Sequence, residues 1–216
     1  MLARVSTTPS FKRLPRAVRE QQMLDAAVKV FSRRGFHAAS MDEIAEDAGI
    51  SKPMVYAYLG TKEELFVACL HREGTRMMQA IAGAAAPELP ADERLWRGLR
   101  AFFGFVGAHR DSWAVLYRQA RGEQPFAGEL ASMRARLVEV VAGMLDHALR
   151  AEGREAGETD LDVIAYALVG ATESLADWLA DHPQADPEKT ATRMMNVAWV
   201  GAGQLLRGDS WRPPTP

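Results

Sequence analysis

Residues 40–66, SMDEIAEDAGISKPMVYAYLGTKEELF, decide the fold. Ser40 followed three residues on by Glu43 is a capping box, in which each side chain serves a backbone amide of the other, and it opens a short helix. Ile44, Ala45 and Ala48 face one way along that helix until Gly49 stops it. Ser51 caps the next helix, with Pro53 tolerated in the first turn because amides there have no intrahelical partner. Val55 and Leu59, four apart, give it an inward face. Thr61 with Glu64 repeats the capping box and opens a longer helix through Leu65, Phe66, Ala68 and Cys69 to about Ile81.

Upstream, Met23, Leu24, Ala27, Val30 and Phe31 recur at helical spacing from Arg16 to Arg34. Arg33 and Arg34 suit the negative helix end, and Gly35 supplies a left-handed cap with Phe36 folding back on the last turn. A helix packed ahead of two short capped helices joined by a turn at Gly49 to Ser51 makes a helix-turn-helix. Its second short helix turns Lys52, Pro53, Met54, Tyr56, Ala57 and Tyr58 outward. Lys52 can donate to guanine edges or a phosphate, Pro53 and Met54 can meet thymine methyls, and the tyrosine hydroxyls can donate to phosphates. The helix starts at Ser40 and Thr61 present amides to phosphate oxygens, and Lys62 adds a full charge beside the second. A three-helix packing unit with a solvated basic face is the competing reading.

Charge distribution favours nucleic acid at one end only. Residues 1–72 hold 11 Lys and Arg against 8 acids, net +3, while residues 73–216 hold 15 against 20, net −5. With 48% hydrophobic and 25% charged residues, rich in Ala, Leu, Glu and Arg, the 216-residue chain is expected to be globular and helical. Cys69 stands alone, which excludes an internal disulfide and fits a reducing, cytoplasmic compartment. The apolar stretch from Ala165 to Ala180 is broken by Glu173 and Asp177, so no membrane partner is expected. Five histidines fall at no metal-ligand spacing, and no phosphate loop or nucleophile elbow is present, so no metal, cofactor or enzyme activity is expected.

The remainder divides into helices at its breakers. Ala84 to Pro90 is a loop, and Asp92 is expected to cap a helix through Leu95, Trp96, Leu99, Phe102, Phe103 and Val106. Asp111 starts a short helix with Trp113, Leu116 and Tyr117, ending near Gly122. A long helix runs from about Ala127 to Leu149, another from a Thr159 cap to about Leu179, and a last one from Pro187 to about Arg207. Ala167, Gly170, Ala171, Ala198, Gly201 and Ala202 allow the last two helices to approach closely, and Leu168, Leu175, Val197 and Val200 add apolar surface for a four-helix homodimer contact. An intramolecular core is the alternative. Phe103, Trp113, Tyr117 and Met144, near Gly98, Gly104 and Gly107, are candidates to line a pocket, with ordinary core packing the competing reading for each.

Ala26-Ala27, Phe31, Arg34-Gly35-Phe36, Ser40-Met41-Asp42-Glu43-Ile44-Ala45, Ala48-Gly49-Ile50-Ser51, Val55-Tyr56-Ala57-Tyr58-Leu59 and Thr61-Lys62-Glu63-Glu64-Leu65 closely resemble the signature of the TetR (tetracycline repressor-like) family. That resemblance implies base contacts from Lys52, Pro53, Met54 and Ala57, and phosphate contacts from Ser40, Tyr56, Tyr58 and Lys62. Met54 and Ala57 depart from the residues common at their positions, so the family's usual base preferences do not transfer; Leu59 replaces a common Phe conservatively. The implied architecture is all-α with about nine helices: a basic arm over 1–15, a DNA-binding domain over 16–72, an effector-binding and dimerisation domain over 73–207, and an unstructured tail over 208–216. The implied function is a repressor that binds double-stranded DNA at a palindromic operator as a homodimer and is released by an apolar or aromatic small molecule. A family activator, or a helical sensor that no longer binds DNA, is the alternative.

Overall fold

The computed structural model describes residues 15–122, 126–151, 153 and 161–202. Residues 1–14 of the expected arm over 1–15, the expected cap at Thr159, and the tail lie outside them. Counting each continuous run once, nine helices and no strand form among the described residues. They are α1 (Arg16–Ala38), α2 (Met41–Asp47), α3 (Lys52–Leu59), α4 (Lys62–Ala84) and α5 (Ala91–Ala108). The sixth, α6, starts as Arg110–Trp113, widens into a π-helical Ala114–Gln119 and closes with Ala120–Gly122. The chain then forms α7 (Phe126–Ala151), α8 (Leu161–Asp181) and α9, which is Pro187–Asn196 continued by a π-helical Val197–Ala202.

Local chemistry sets most boundaries. Gly35 adopts φ 76° inside α1, so the chain bends and returns Phe36 to the core against Phe31, Phe66 and Phe126, with ring centroids 6.2, 5.3 and 4.9 Å away. At α4 the capping box is complete: Glu64 N–H donates to the Thr61 hydroxyl at 3.2 Å and Thr61 N–H to the Glu64 carboxylate at 2.8 Å. At α2 it is half made. The Ser40 hydroxyl accepts from Glu43 N–H at 3.1 Å, but the Glu43 carboxylate turns to Arg34 at 3.2 Å. Ser51 precedes α3 without a side-chain cap, and α5 begins after Pro90, which places Asp92 in the first turn rather than at the cap. There its charge still favours the positive helix end.

Two cores meet at α6. Met23, Leu24, Phe31, Ile44, Val55, Leu65 and Phe66 from α1–α4 form the first, joined by Val115, Leu116 and Ala120 of α6 and by Phe126 of α7. Leu99, Phe102, Phe103, Val106, Trp113, Tyr117, Ala176, Leu179, Ala191 and Met194 form the second. One helix therefore serves the head with one face and the body with the other, and α4 runs unbroken through Arg72. A smaller cluster of Val138, Ala165 and Val169 joins α7 to α8.

The glycines of α5 separate into different roles. A Cβ on Gly107 would lie 2.6 Å from Cγ of Pro187, so this glycine lets the start of α9 close onto α5. Gly104 has open space beside it, and Gly98 ordinary clearance to Ala85 and Ile81. By length and composition α8 is apolar enough to cross a membrane, although Glu173 and Asp177 interrupt its apolar run. Its hydrophobicity is two-sided. Ala165, Val169, Ala176 and Leu179 are buried in the body, while Tyr166 and Trp178 stand exposed.

Candidate nucleic-acid interface and effector core

Val55, wholly buried, fixes α3 to the head and leaves Lys52, Pro53, Tyr56 and Ala57 exposed. Lys52 Nζ donates to Asp42 at 2.9 Å across the α2–α3 turn, and that bond is the main reason its pKa is raised. The pair is exposed on both sides, so releasing the lysine to a base costs little. Met54 is half-buried, its sulfur accepting from Arg19 Nη1 at 3.3 Å. Tyr58 is half-buried beneath the Arg16 guanidinium, 5.2 Å from the ring centre.

Lys62 is more constrained than its position suggests. Its ammonium donates to the carbonyls of His37 and Ala39, both at 3.2 Å, and sits 4.7 Å from the Phe36 ring centre. It closes the corner between α1 and α2, leaving one of three N–H donors for a phosphate. The capping box engages the Thr61 and Glu64 amides and puts the Glu64 carboxylate beside the start of α4, a repulsive feature for phosphate. Ser40 keeps its own O–H as a donor, because its oxygen only accepts from Glu43. Arg33, exposed and balanced by Glu43 and Asp47, adds a cation that the sequence reading did not assign.

In the body, Phe103, Trp113 and Tyr117 share one cluster with Phe102, whereas Met144 lies half-buried on α7 outside it. Trp113 stacks on Tyr117 at 4.6 Å and 13°, and Phe102 meets Trp113 edge-on at 5.6 Å. All four rings are buried, so this is a filled core. A polar seam borders it. The Trp113 indole N–H donates to Asp177 at 2.9 Å and the Tyr117 hydroxyl to Glu173 at 2.8 Å; Arg134 pairs with Glu173 at 2.9 Å, and Arg121 donates to the Tyr117 oxygen. Glu173 is only 8% exposed and needs these donors. Burial first, then the bond to Glu173, push the Tyr117 phenol pKa up. Two acids interrupting the apolar run of α8 were the sequence signal for this seam; the arginines that answer them lie on other helices. Among the described residues no group of three or more His, Cys, Asp or Glu side chains gathers to hold a metal.

The small residues of α8 and α9 also sort by face. Leu168 and Leu175 are half-buried against the body core and Ala198 is buried in it, so within one chain these side chains pack intramolecularly. Val163, Tyr166, Trp178, Val197, Trp199 and Val200 are the large apolar side chains left exposed there, beside exposed Ala167, Ala171 and Gly201.

Residues 23–69 match the model of bacterial regulatory proteins of the tetR family, and residues 91–201 match that of the tetracyclin repressor-like C-terminal domain. The chain belongs to the TetR family. Like its relatives this TetR-family chain is a transcription regulator with a helix-turn-helix DNA-binding head, not an enzyme. It is 30% identical over 194 residues to the transcriptional activator FasR of Mycolicibacterium smegmatis, covering 89% of this chain and 87% of FasR. A TetR-like transcriptional regulator from Rhodococcus sp. RHA1 shares 51% identity and superposes with a TM-score of 0.77 over 88% of this chain and 99% of its own. FadR of Bacillus subtilis, in complex with stearoyl-CoA, has the same fold at 16% identity, with a TM-score of 0.72 over 82% of this chain and 96% of FadR.

Proposed function

We propose that this TetR-family regulator is a cytoplasmic homodimer whose two α3 helices read the half-sites of a palindromic operator, and whose body over residues 73–207 takes an apolar or partly aromatic effector that lowers DNA affinity. The observation that carries the reading is α3 itself: one buried anchor, Val55, and an exposed face of Lys52, Pro53, Tyr56 and Ala57. Lys52, Pro53, Met54 and Ala57 read bases. Ser40, Tyr56, Tyr58 and Lys62 hold phosphates, and Thr61 adds only its hydroxyl hydrogen, because its amide is taken by Glu64. The exposed apolar face of α8 and α9 supplies the dimer contact, since a helix apolar on two sides needs a partner for the second.

Effector entry has to open the packed cluster of Phe103, Trp113 and Tyr117, and α6 carries that change to the head because Val115 and Leu116 on the same helix sit in the head core. A long acyl thioester is the first class to test, supported by the stearoyl-CoA complex of the FadR neighbour. Repression follows where the operator overlaps a promoter; the similarity to FasR, an activator, favours activation as the second reading.

Selection of bound duplexes from random DNA, followed by salt titration, tests the head. Lys62→Ala should weaken all sites alike and flatten the log-affinity against log-salt slope by about 0.9, whereas Lys52→Ala should change the preferred bases. No salt-dependent binding to any selected duplex overturns the reading. If both substitutions change affinity alone, Lys52 is a phosphate contact and the base assignment fails.

A further inference from the structure

A cleft of about 500 Å³ opens between head and body, and none of the residues that line it lies on α3. One wall is Asp25, Val28 and Lys29 of α1 with Arg72 and Arg76 of α4; the other is the α5–α6 corner from Ala108 to Ser112. Its volume falls in the range of about 300 to 1,000 Å³ that small-molecule sites occupy.

Charge in the cleft is unevenly committed. Asp25 pairs with Arg72 at 2.8 Å, and Asp111 accepts from the Ser32 hydroxyl at 2.9 Å. Arg72, nearly buried, is further bound by Glu73 at 2.5 Å and by the Gln21 carbonyl at 3.2 Å. Arg110 Nη1 bridges the carbonyls of Leu179 and Ala180, both at 2.7 Å, which fixes the corner to the end of α8. Two cations keep donors to spare. The Lys29 ammonium makes no hydrogen bond or ion pair among the described residues, and the 43%-exposed Arg76 uses only Nη1, on Glu73, keeping Nε and Nη2 free. One stands on the head helix, the other on the helix that continues into the body, and both line the same cavity.

We propose that this junction cleft binds a phosphorylated small molecule of nucleotide size, with Lys29 and Arg76 holding its phosphates. Arginine offers a planar pair of donors and lysine a mobile point charge, a combination suited to a phosphate or diphosphate. A ligand there touches head and body at once, so it biases their relative setting, and operator DNA must change its affinity by the same factor that it changes that of DNA. The site does not rest on the effector proposed for the body core.

Titration calorimetry of the full-length protein with ADP and with pyrophosphate, free of DNA, tests it. Both probes should bind, ADP the tighter, and Lys29→Gln and Arg76→Gln should each weaken binding about tenfold or more. Lys52→Gln, on the reading helix, should leave it unchanged. Lys29→Gln removes no internal partner, so it decides the matter if Arg76→Gln disturbs folding through Glu73. Absence of binding at millimolar probe, binding that survives Lys29→Gln, or binding lost in Lys52→Gln overturns the proposal, the last because the probe then occupies the DNA face.

Discussion

Tyr117→Phe is the most informative single change in the body, because it deletes one oxygen and leaves the ring that stacks on Trp113. The change removes a 2.8 Å donation to Glu173, a carboxylate nearly closed off from water, and the bond that the Tyr117 oxygen accepts from the solvent-reaching Arg121. Hydrogen bonds to charged groups contribute about 1.5–3 kcal/mol. Glu173 retains Arg134 at 2.9 Å, so the lower part applies, about 1.5–2 kcal/mol by that scale. For a chain of this size each kcal/mol moves Tm by about 2–4 °C, so a fall of about 3–8 °C is expected. The effect should depend on pH in a defined direction. Because the folded-state phenol pKa is raised above its ordinary value of 10.0, the folded protein holds the proton more tightly than the unfolded chain does. The stabilisation is complete below pH 10 and is lost as pH rises toward the folded value. Urea unfolding followed by circular dichroism should therefore show a constant gap between wild type and Tyr117→Phe through neutral pH, narrowing above pH 10. A variant as stable as wild type, or a gap that widens with alkali, refutes the assignment of the seam.

Gly107→Ala should destabilise by about 1–3 kcal/mol, since its Cβ would press on the rigid Pro187 ring at 2.6 Å, whereas Gly104→Ala, with open space, should stabilise the helix by about 0.5–1 kcal/mol; paired melting curves test both. Val200→Asp and Val197→Asp alter side chains exposed in the single chain, so each should leave the helical circular dichroism intact while sedimentation shifts from two chains to one; a dimer in both places the contact elsewhere. The Cys69 thiol, pushed up to about 12 by burial, should resist a thiol reagent in the folded protein at mildly alkaline pH and react fully in guanidinium; fast reaction in the folded state contradicts its burial.

What the sequence by itself determined is local. Capping pairs, glycine stops and apolar spacing act within a few residues, so Ser40, Gly49, Pro53, Thr61 and the stripe from Met23 to Phe31 set the helix-turn-helix without knowledge of the rest. The same signals bounded most of the helices of the body. The tertiary structure alone decided which partner each polar group takes, because those partners lie far apart in the chain. It gave Lys62 to the carbonyls of His37 and Ala39, Glu43 to Arg34, and Glu173 to Arg134 and Tyr117. It also decided faces on helices that are apolar on two sides, turning Leu168 and Leu175 inward and Val197 and Val200 outward. Periodicity identifies an apolar face but not which neighbour covers it. For that reason the aromatics read as pocket candidates form a filled core at α6, while the open cleft lies at the junction with the head, between helices that only long-range packing brings together.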